Sequence, residues 1–380
     1  MKNILFIHQS AELYGSDKTL LLLLKNLDKT KFSSVVVLPF DGPLKAELEK
    51  ANIKVIIAPV LKLYRKMFSP KNILKFFKEI KEAFKVVDNL NKEHKFDLIY
   101  SNTLAVLLGM IYANRRKIKH IWHVHEIIVH PKIIATIFPK LLNKYTALVI
   151  CNSNSTKKNL IDRITELDQK TVVIYNGLET GNLRITNSSK EKFGFNSDDI
   201  IITLVGRISR LKGHKWLLAT FINKLSRNQK VKLLFVGSPV IGQEYYLEEI
   251  EQIILENEIN DKVKIIPFTK ELSQIWSVTD IAIMPSSEAE SFGLVAVEAM
   301  LAQKPVIGSN HGGLTEIILN NETGFLVEPN NENELAEAIS KLVESPELRK
   351  LYGENGYQRA IDEFSIERYV QNFEKVLLEQ

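Results

Sequence analysis

A single cysteine, Cys151, stands in 380 residues, so an intramolecular disulfide is impossible and no cysteine-built metal cluster can form. A reducing compartment, the cytosol, is the simplest expectation. No apolar run approaches the roughly 20 residues that a membrane-spanning helix needs; the longest, Leu104 to Ala113, fits a core helix. At the N-terminus, Lys2 is followed only by Ile4-Leu5-Phe6-Ile7 before His8-Gln9-Ser10. That is too short for the apolar core of a signal segment and well shaped for a buried first strand. Short-period repeats, low-complexity tracts, groove-reading motifs and RNA-binding modules are absent too, which argues against nucleic acid as a partner. The chain also lacks an Asp-x-Asp pair of the kind that holds a divalent metal. A protein that is soluble or peripheral to a membrane is expected.

What is present suits two domains: 45% of the residues are hydrophobic, ample for two cores, and the length is that of two ordinary domains. The net charge of +5 conceals an asymmetry, with +14 on residues 1–185 and −9 on the remainder. The basic excess concentrates between Lys62 and Lys85. There Lys62, Arg65, Lys66, Lys71, Lys75, Lys78, Lys81 and Lys85 surround Ile73, Leu74, Phe76, Phe77, Ile80 and Phe84 at helical spacing. Such a helix can lie on an anionic membrane, or it can be an ordinary surface helix with a lysine-rich face.

Short β-rich runs alternate with helices. Ile4 to Ile7, Val35 to Leu38, Val55 to Ala58, Asp97 to Tyr100, His120 to His125, Ala147 to Ile150 and Val172 to Tyr175 read as strands. Helices are expected over Thr19 to Leu27, Leu44 to Ala51 and Leu104 to Ala113. Asn176-Gly177 and the polar stretch Glu179 to Ser197 read as a linker. A second series follows with strands at Ile200 to Val205, Val231 to Val236, Val263 to Pro267, Ile281 to Met284, Val306 to Gly308 and Phe325 to Val327. Two doubly wound α/β domains in tandem are the consequence, with ligands expected beyond the carboxyl ends of strands. A helix over Glu367 to Leu378 closes the chain.

The stretch Asp280 to Ser309 carries the chemistry. After the strand at Ile281 and the polar loop Ser286 to Ser291, residues Phe292 to Leu301 are apolar on every side except at Glu298, so the helix is buried. An ionised acid inside it must be paired or hydrogen-bonded. Glu290 precedes this helix, so two carboxylates bracket a helix start whose backbone N–H groups favour an anion, with Gly293 allowing close approach. Read blandly, Glu290 is a solvated loop charge and Glu298 a core acid paired with a lysine. Gly206-Arg207-Ile208-Ser209-Arg210-Leu211-Lys212-Gly213, after the strand at Ile200, adds Arg207 and Lys212, a phosphate fork and a point charge. His123 and His125 fall on one side of their strand, and either could serve a site there.

These elements resemble the retaining glycosyltransferases of family 4. The resemblance rests on Glu290 and Glu298 with seven residues between them, on Gly206-Arg207 with Lys212-Gly213, and on His311-Gly312-Gly313-Leu314-Thr315-Glu316 before Asn320 to Gly324. Weaker matches are Gly15-Ser16, Tyr175-Asn176-Gly177 and the terminal helix. The resemblance implies a GT-B architecture of two Rossmann-like domains facing across a cleft. An acceptor-side domain would cover 1–180, a donor-binding domain 181–362, and a terminal helix at 363–380 would return to the first domain. It implies a nucleoside-diphosphate sugar as substrate, a glycan or lipid-linked acceptor, and no cofactor or catalytic metal. Arg207 and Lys212 would clamp the diphosphate, Glu298 the ribose hydroxyls, and Glu290 the transferred sugar. The backbone of Phe292, Gly293 and Leu294 would support phosphate, Pro267 and Phe268 would wall the base, Gly15 and Ser16 would meet the phosphates, and His125 would stand near the reacting sugar. The Tyr14-Gly15-Ser16-Asp17 turn departs from the family's usual double glycine. The expected place of work is cell-surface polysaccharide or glycolipid assembly on the cytoplasmic side, with peripheral contact to an anionic membrane. An epimerase or phosphorylase of the same architecture, or an idle sugar-nucleotide-binding scaffold, are the alternatives.

Overall fold

The computed structural model describes residues 1–62, 70–183 and 188–380, the side chains of 70–74 and 182–183 excepted. The chain divides into two units, residues 1–177 with 366–380 and residues 178–365. In the first unit, β1 (Lys2–His8), β2 (Phe32–Leu38), β3 (Lys54–Ile57), β4 (Leu98–Asn102), β5 (Lys119–Val124), β6 (Leu148–Cys151) and β7 (Thr171–Val173) form one parallel sheet in the order β3-β2-β1-β4-β5-β6-β7. Strand β1 shows why both faces are covered. Its alternate residues Leu5 and Ile7 enter one core, and Ile4 and Phe6 enter the other. A central parallel strand therefore reads as a continuous apolar run.

The second unit repeats the plan. Strands β8 (Ile200–Val205), β9 (Val231–Val236), β10 (Val263–Ile266), β11 (Ile281–Met284), β12 (Val306–Ser309) and β13 (Gly324–Val327) run parallel in the order β10-β9-β8-β11-β12-β13. In each sheet the winding reverses once, between β1 and β4 and between β8 and β11. At such a reversal the crossovers leave in opposite directions and open a crevice at the carboxyl ends of the strands.

The terminal helix, Ile366–Glu379, belongs to the first unit. Ile366, Tyr369, Val370, Phe373 and Leu377 recur at helical spacing and share a core with Ile4 and Phe6, and Lys2 donates to the Leu377 carbonyl at 2.8 Å.

Three expected helices begin elsewhere. The first runs Gly15–Asn26, four residues earlier than its apolar stretch, because Asp17 accepts the Tyr14 N–H at 2.9 Å and closes the first turn. The segment expected as helix from Leu104 starts only at Leu108. Thr103 has φ +81°, the Glu126 carboxylate holds the Leu104 N–H, and Val106 bridges to Lys62. Leu294–Leu301 begins after Gly293, two residues later than the apolar run from Phe292, which sets Glu298 little more than one turn in.

From Pro70 on, the basic stretch lies in the helix Pro70–His94, while Lys62 bridges to Val106. Arg65 and Lys66, and the side chains of Lys71, Ile73 and Leu74, lie outside the described residues. Phe76, Ile80, Ala83, Phe84 and Val87 pack against the core of the first unit, leaving Lys75, Lys78, Lys81 and Lys85 exposed. That is the build of a surface helix with a lysine face. Among the described residues no helix is long and apolar enough to cross a membrane.

Cys151, at the end of β6, is fully buried, and burial pushes its thiol well above the ordinary range. A buried, protonated thiol is inert. Treatment of the native protein with a thiol-specific reagent is therefore expected to label nothing, and unfolding in denaturant to expose one reactive group. Rapid native labelling would contradict the packing of β6.

Candidate active site

Two groups of polar side chains sit at the two winding reversals, one in each unit. In the second unit, β8 ends at Val205 and β11 at Met284. The loops that follow are pinned by glycines at close approach. Gly213, with φ +72°, would place a Cβ 1.6 Å from the Pro285 carbonyl oxygen, and Gly237 one 1.9 Å from that of Gly206. No side chain fits either position: at Gly213 the β8 and β11 loops meet backbone to backbone, and at Gly237 the loop after β9 meets the β8 loop in the same way.

The Gly213 contact brings Lys212 to Glu290. The ammonium donates to Oε1 at 2.8 Å, the same oxygen accepts from the Ser286 hydroxyl, and the Glu290 carbonyl takes the Gly313 N–H at 2.7 Å. The His311 ring N–H in turn donates to the Ser286 carbonyl at 2.9 Å. Burial works to raise the Glu290 carboxyl, but Lys212, Ser286 and His311 together hold it below its ordinary value. Glu290 is thus a charged group with its geometry fixed in advance, its side chain 16% exposed. Lys212 lies over Gly206, whose neighbour Arg207 is exposed at the end of β8. Two of the three ammonium protons of Lys212 remain for other acceptors.

Phe292 is a core residue, packed edge-on against Phe364 at 5.7 Å, so only its backbone can serve a ligand. Gly293, at φ +121°, opens the helix that carries Glu298, itself 7% exposed. Pro267 and Phe268 are exposed beyond β10, the Phe268 N–H donating to the Ser238 hydroxyl at 3.0 Å.

The group in the first unit follows from strand register. His8 of β1 lies opposite Asn102 of β4, which lies opposite His123 of β5. His125, two residues on from His123, falls on the same side, and the two rings approach at 3.1 Å. The protons can be assigned from the network. The Ser16 carbonyl can only accept, so the Asn102 amide nitrogen faces it at 3.3 Å and also donates to Nδ1 of His8 at 3.0 Å. His8 therefore carries its proton on Nε2, which donates to Asp17 at 2.5 Å. Asn102 Oδ1 then accepts from Nε2 of His125 at 2.9 Å, leaving His125 a lone pair on Nδ1. Tyr100, its hydroxyl kept protonated by burial, donates to Nδ1 of His123 at 2.7 Å. Burial holds His125 down to about 3 and His123 well below its ordinary value. Both rings are neutral at physiological pH. His125 is accordingly a hydrogen-bond acceptor of fixed orientation and too weak a base to store a proton. The same relay ties the Ser16 carbonyl, in the first turn of its helix, to Asn102, the residue that holds His125.

Glu126 completes the turn. It accepts N–H groups from Leu104 and His125 at 3.0–3.2 Å, and burial nevertheless pushes its carboxyl up to about 7 from 4.5. The native carboxyl keeps a proton that the unfolded one has lost. Its contribution is therefore present in full below pH 4.5 and is lost as pH rises through 7. Stability is expected to fall by about 1–2 kcal/mol over that window, less than the ~3 kcal/mol of a fully buried shift because Glu126 is partly exposed. Denaturant midpoints from pH 5 to 8 check this; Glu126→Gln flattens the slope, and an equal slope in the variant refutes the assignment.

His8, Asn102 and Ser286 join these two groups of side chains without belonging to a motif, and Asp17 and His311 stand in motifs that give their side chains no role. His8 and Asn102 were findable as polar residues ending adjacent central strands. No three His, Cys, Asp or Glu residues gather to hold a metal among the described residues.

Known proteins share this plan. Residues 14–182 match the family described as Glycosyltransferase Family 4, and residues 185–359 that described as Glycosyl transferases group 1. An uncharacterised glycosyltransferase of Methanocaldococcus jannaschii is 29% identical over 301 residues, 77% of this chain and 78% of that one. The capsular polysaccharide biosynthesis glycosyltransferase CapM of Staphylococcus aureus is 28% identical over 308 residues, 78% and 80% of the two chains. The crystal structure of Anabaena HepE in complex with UDP-glucose matches with a TM-score of 0.86 at 25% identity, over the whole of both chains. With both units matched in order and the parallel sheets in place, the chain belongs to the group 1, family 4 glycosyltransferases and has their GT-B fold.

Proposed function

We propose that this glycosyltransferase moves a sugar from a nucleoside-diphosphate donor to a glycan or lipid-linked acceptor, with retention of anomeric configuration and without a catalytic metal. The observation that carries the reading is the part-buried Lys212–Glu290 pair at the reversal of the second sheet. Lys212 can bridge Glu290 and a diphosphate oxygen, and Arg207 adds a two-pronged grip, so the charge that develops on the leaving diphosphate meets fixed cations. Glu290 then has one carboxylate oxygen for a hydroxyl of the transferred sugar. Glu298 takes the ribose hydroxyls, the backbone of Phe292, Gly293 and Leu294 supports phosphate, and Pro267 and Phe268 wall the base. On the acceptor side, His125 offers Nδ1 to a sugar hydroxyl, and Gly15 and Ser16 meet the donor phosphates. A neutral ring of such low basicity does not hold the acceptor's proton, which leaves that proton to the departing phosphate.

CapM is named for capsular polysaccharide biosynthesis, and a cell-surface polysaccharide or glycolipid is the product we favour. The exposed Lys75, Lys78, Lys81 and Lys85 suit contact with an anionic membrane on its cytoplasmic face. Vesicle binding indifferent to anionic lipid would remove that part of the reading.

A thermal-shift screen against nucleoside diphosphates and their sugars, with UDP and UDP-glucose first, tests the donor. A ligand at about a hundredfold excess over its Kd stabilises the native state by about 2.7 kcal/mol. Transfer in excess chelator, with the anomeric proton of the product read by NMR, tests the rest. Inverted product, or loss of transfer with the chelator, overturns the mechanism, and conversion of donor without acceptor marks an epimerase.

A further inference from the structure

The loop that leaves His125 runs into the helix Lys132–Tyr145. Phe138 and Leu142 fix the inner face of this helix to the core that holds Leu5 and Ile7. Its outer face is apolar at the start: Val129, just before the helix, is 50% exposed, Ile133 71% and Ile137 44%. Ile133 and Ile137, four residues apart, stand one above the other. Single exposed apolar side chains are ordinary, but three within nine residues, two of them stacked on one helix face, form a patch.

Charge singles out the same stretch. No Asp or Glu occurs from residue 127 to residue 161, and the exposed Lys132, Lys140 and Lys144 make no ion pair among the described residues. The lysines of Pro70–His94, by contrast, share their helix with acids, Lys75 reaching Glu79 at 3.6 Å. Direction orders the two kinds of residue. A helix that joins parallel strands returns from their carboxyl edge to their amino edge, so Ile133 and Ile137 lie in the turns next to the edge where β5 delivers His125. Lys140 and Lys144 follow on the same side of the helix, roughly 10 and 16 Å beyond Ile133. Pro70–His94 packs on the same face of the sheet, runs the same way and exposes Phe77 ahead of Lys81 and Lys85. An apolar end followed by a belt of lysines matches a bilayer met by the carboxyl edge, with hydrocarbon around the isoleucines and anionic headgroups around the ammonium groups.

We infer that residues 129–137 enter the apolar layer of an anionic bilayer, and that the acceptor sugar reaching His125 is carried on a lipid in that layer. Val129 stands four residues from His125, at most ~14 Å along the chain. A lipid seated at the patch therefore presents its first sugars to the His125 ring. Contact through the lysines of Pro70–His94 is adsorption by charge, whereas insertion at Ile133 adds apolar burial that salt does not screen. The acceptor half of the inference rests on the transfer reaction proposed above; the insertion half does not.

Ile133→Trp puts a fluorophore in the patch without removing apolar surface, and Lys25→Trp puts one on the helix Gly15–Asn26, which covers the opposite core of the sheet. Vesicles of phosphatidylglycerol and phosphatidylcholine brominated on their acyl chains are expected to quench the first fluorophore and leave the second unchanged. Flotation of the full chain with the same lipids gives the affinity. Ile133→Glu, at an exposed position where the fold has little at stake, weakens partition by about tenfold or more. Lys140→Glu with Lys144→Glu does so by about tenfold or more at low salt. Lys75→Glu with Lys78→Glu lowers partition too, but the protein that remains bound is still quenched at Ile133→Trp. Bound protein in which Ile133→Trp is not quenched is held by charge alone, which overturns the inference and leaves the lysine contact proposed above intact. Absence of binding to any vesicle means that the patch meets protein or water and overturns both. For the acceptor, one sugar is offered as its methyl and its dodecyl glycoside with vesicles present. The dodecyl compound is expected to show a KM lower by about tenfold or more, a gain that disappears in Ile133→Glu. Equal KM values overturn the lipid-carried acceptor. Transfer to neither glycoside across a panel of sugars refutes the transfer reaction itself, while insertion is still decided by the quenching.

Discussion

Glu290→Gln lowers turnover by about 10²- to 10³-fold, the cost of removing one charged, preorganised stabiliser from a reacting centre. The substitution keeps the shape and one acceptor oxygen but removes the charge that orders its neighbours. Lys212 loses its ionic partner at 2.8 Å, and the Ser286 hydroxyl then meets an amide. Donor KM is expected to move by less than about tenfold, because in the proposed arrangement Arg207 and the Gly293 helix start would still hold the diphosphate. Stability falls by only about 1–3 kcal/mol, the range for breaking a bond to a charged group, so the variant remains folded. Lys212→Met acts from the other side of the same pair. Since each substitution already breaks the interaction, the double variant is expected to be little worse than the poorer single one. Steady-state kinetics with the donor found by thermal shift decides the matter: turnover within threefold of wild type in Glu290→Gln, or strict additivity in the double variant, would falsify the role given to the pair.

The pieces of this centre were legible because each is local. An apolar helix interrupted by one acid, a loop acid before it, and a glycine-flanked pair of cations all show in short windows of sequence. The strands were legible for the same reason, since two faces of apolar burial force continuous runs in β1 and β8. Distances along a helix were less secure. Glu298 sits nearer its helix start than the apolar run suggests, because Gly293 turns the chain outside the helical region. Leu104 to Leu107 look helical by composition, and yet the positive φ of Thr103 and the grip of Glu126 on the Leu104 N–H override propensity. The relay through Asp17, His8 and Asn102 was out of reach for a different reason. Its members are separated by up to 94 positions and meet only through the register of β1 against β4, which no short window encodes.

That relay yields the second large effect. Asn102, itself buried, makes three contacts with distinct polarity: it accepts from His125, and it donates to His8 and to the Ser16 carbonyl. Asn102→Ala removes all three. His125 then keeps only the His123 ring as a neighbour for Nε2 and is free to turn or to exchange tautomers, so turnover is expected to fall by about 10²-fold, the lower end of what one preorganised hydrogen-bonding group contributes at a reacting centre. Stability falls with it by about 2–3 kcal/mol for the buried groups left unmet. Asn102→Asp separates positioning from packing. One oxygen still accepts from His125, so its orientation survives and the loss of turnover is smaller, roughly tenfold. The other oxygen now faces the Ser16 carbonyl and Nδ1 of His8, both acceptors. One proton must be taken up to separate these acceptors, which ties this variant to pH. Its native state binds a proton that the unfolded state at neutral pH lacks, so its stability deficit shrinks as pH falls and grows as pH rises. Turnover measured well below the unfolding midpoint of each variant, together with midpoints from pH 5.5 to about 8.5, tests the whole scheme. Equal losses in the two variants, or a pH-independent deficit in Asn102→Asp, would show that Asn102 merely fills space between the strands and that His125 owes its orientation to something else.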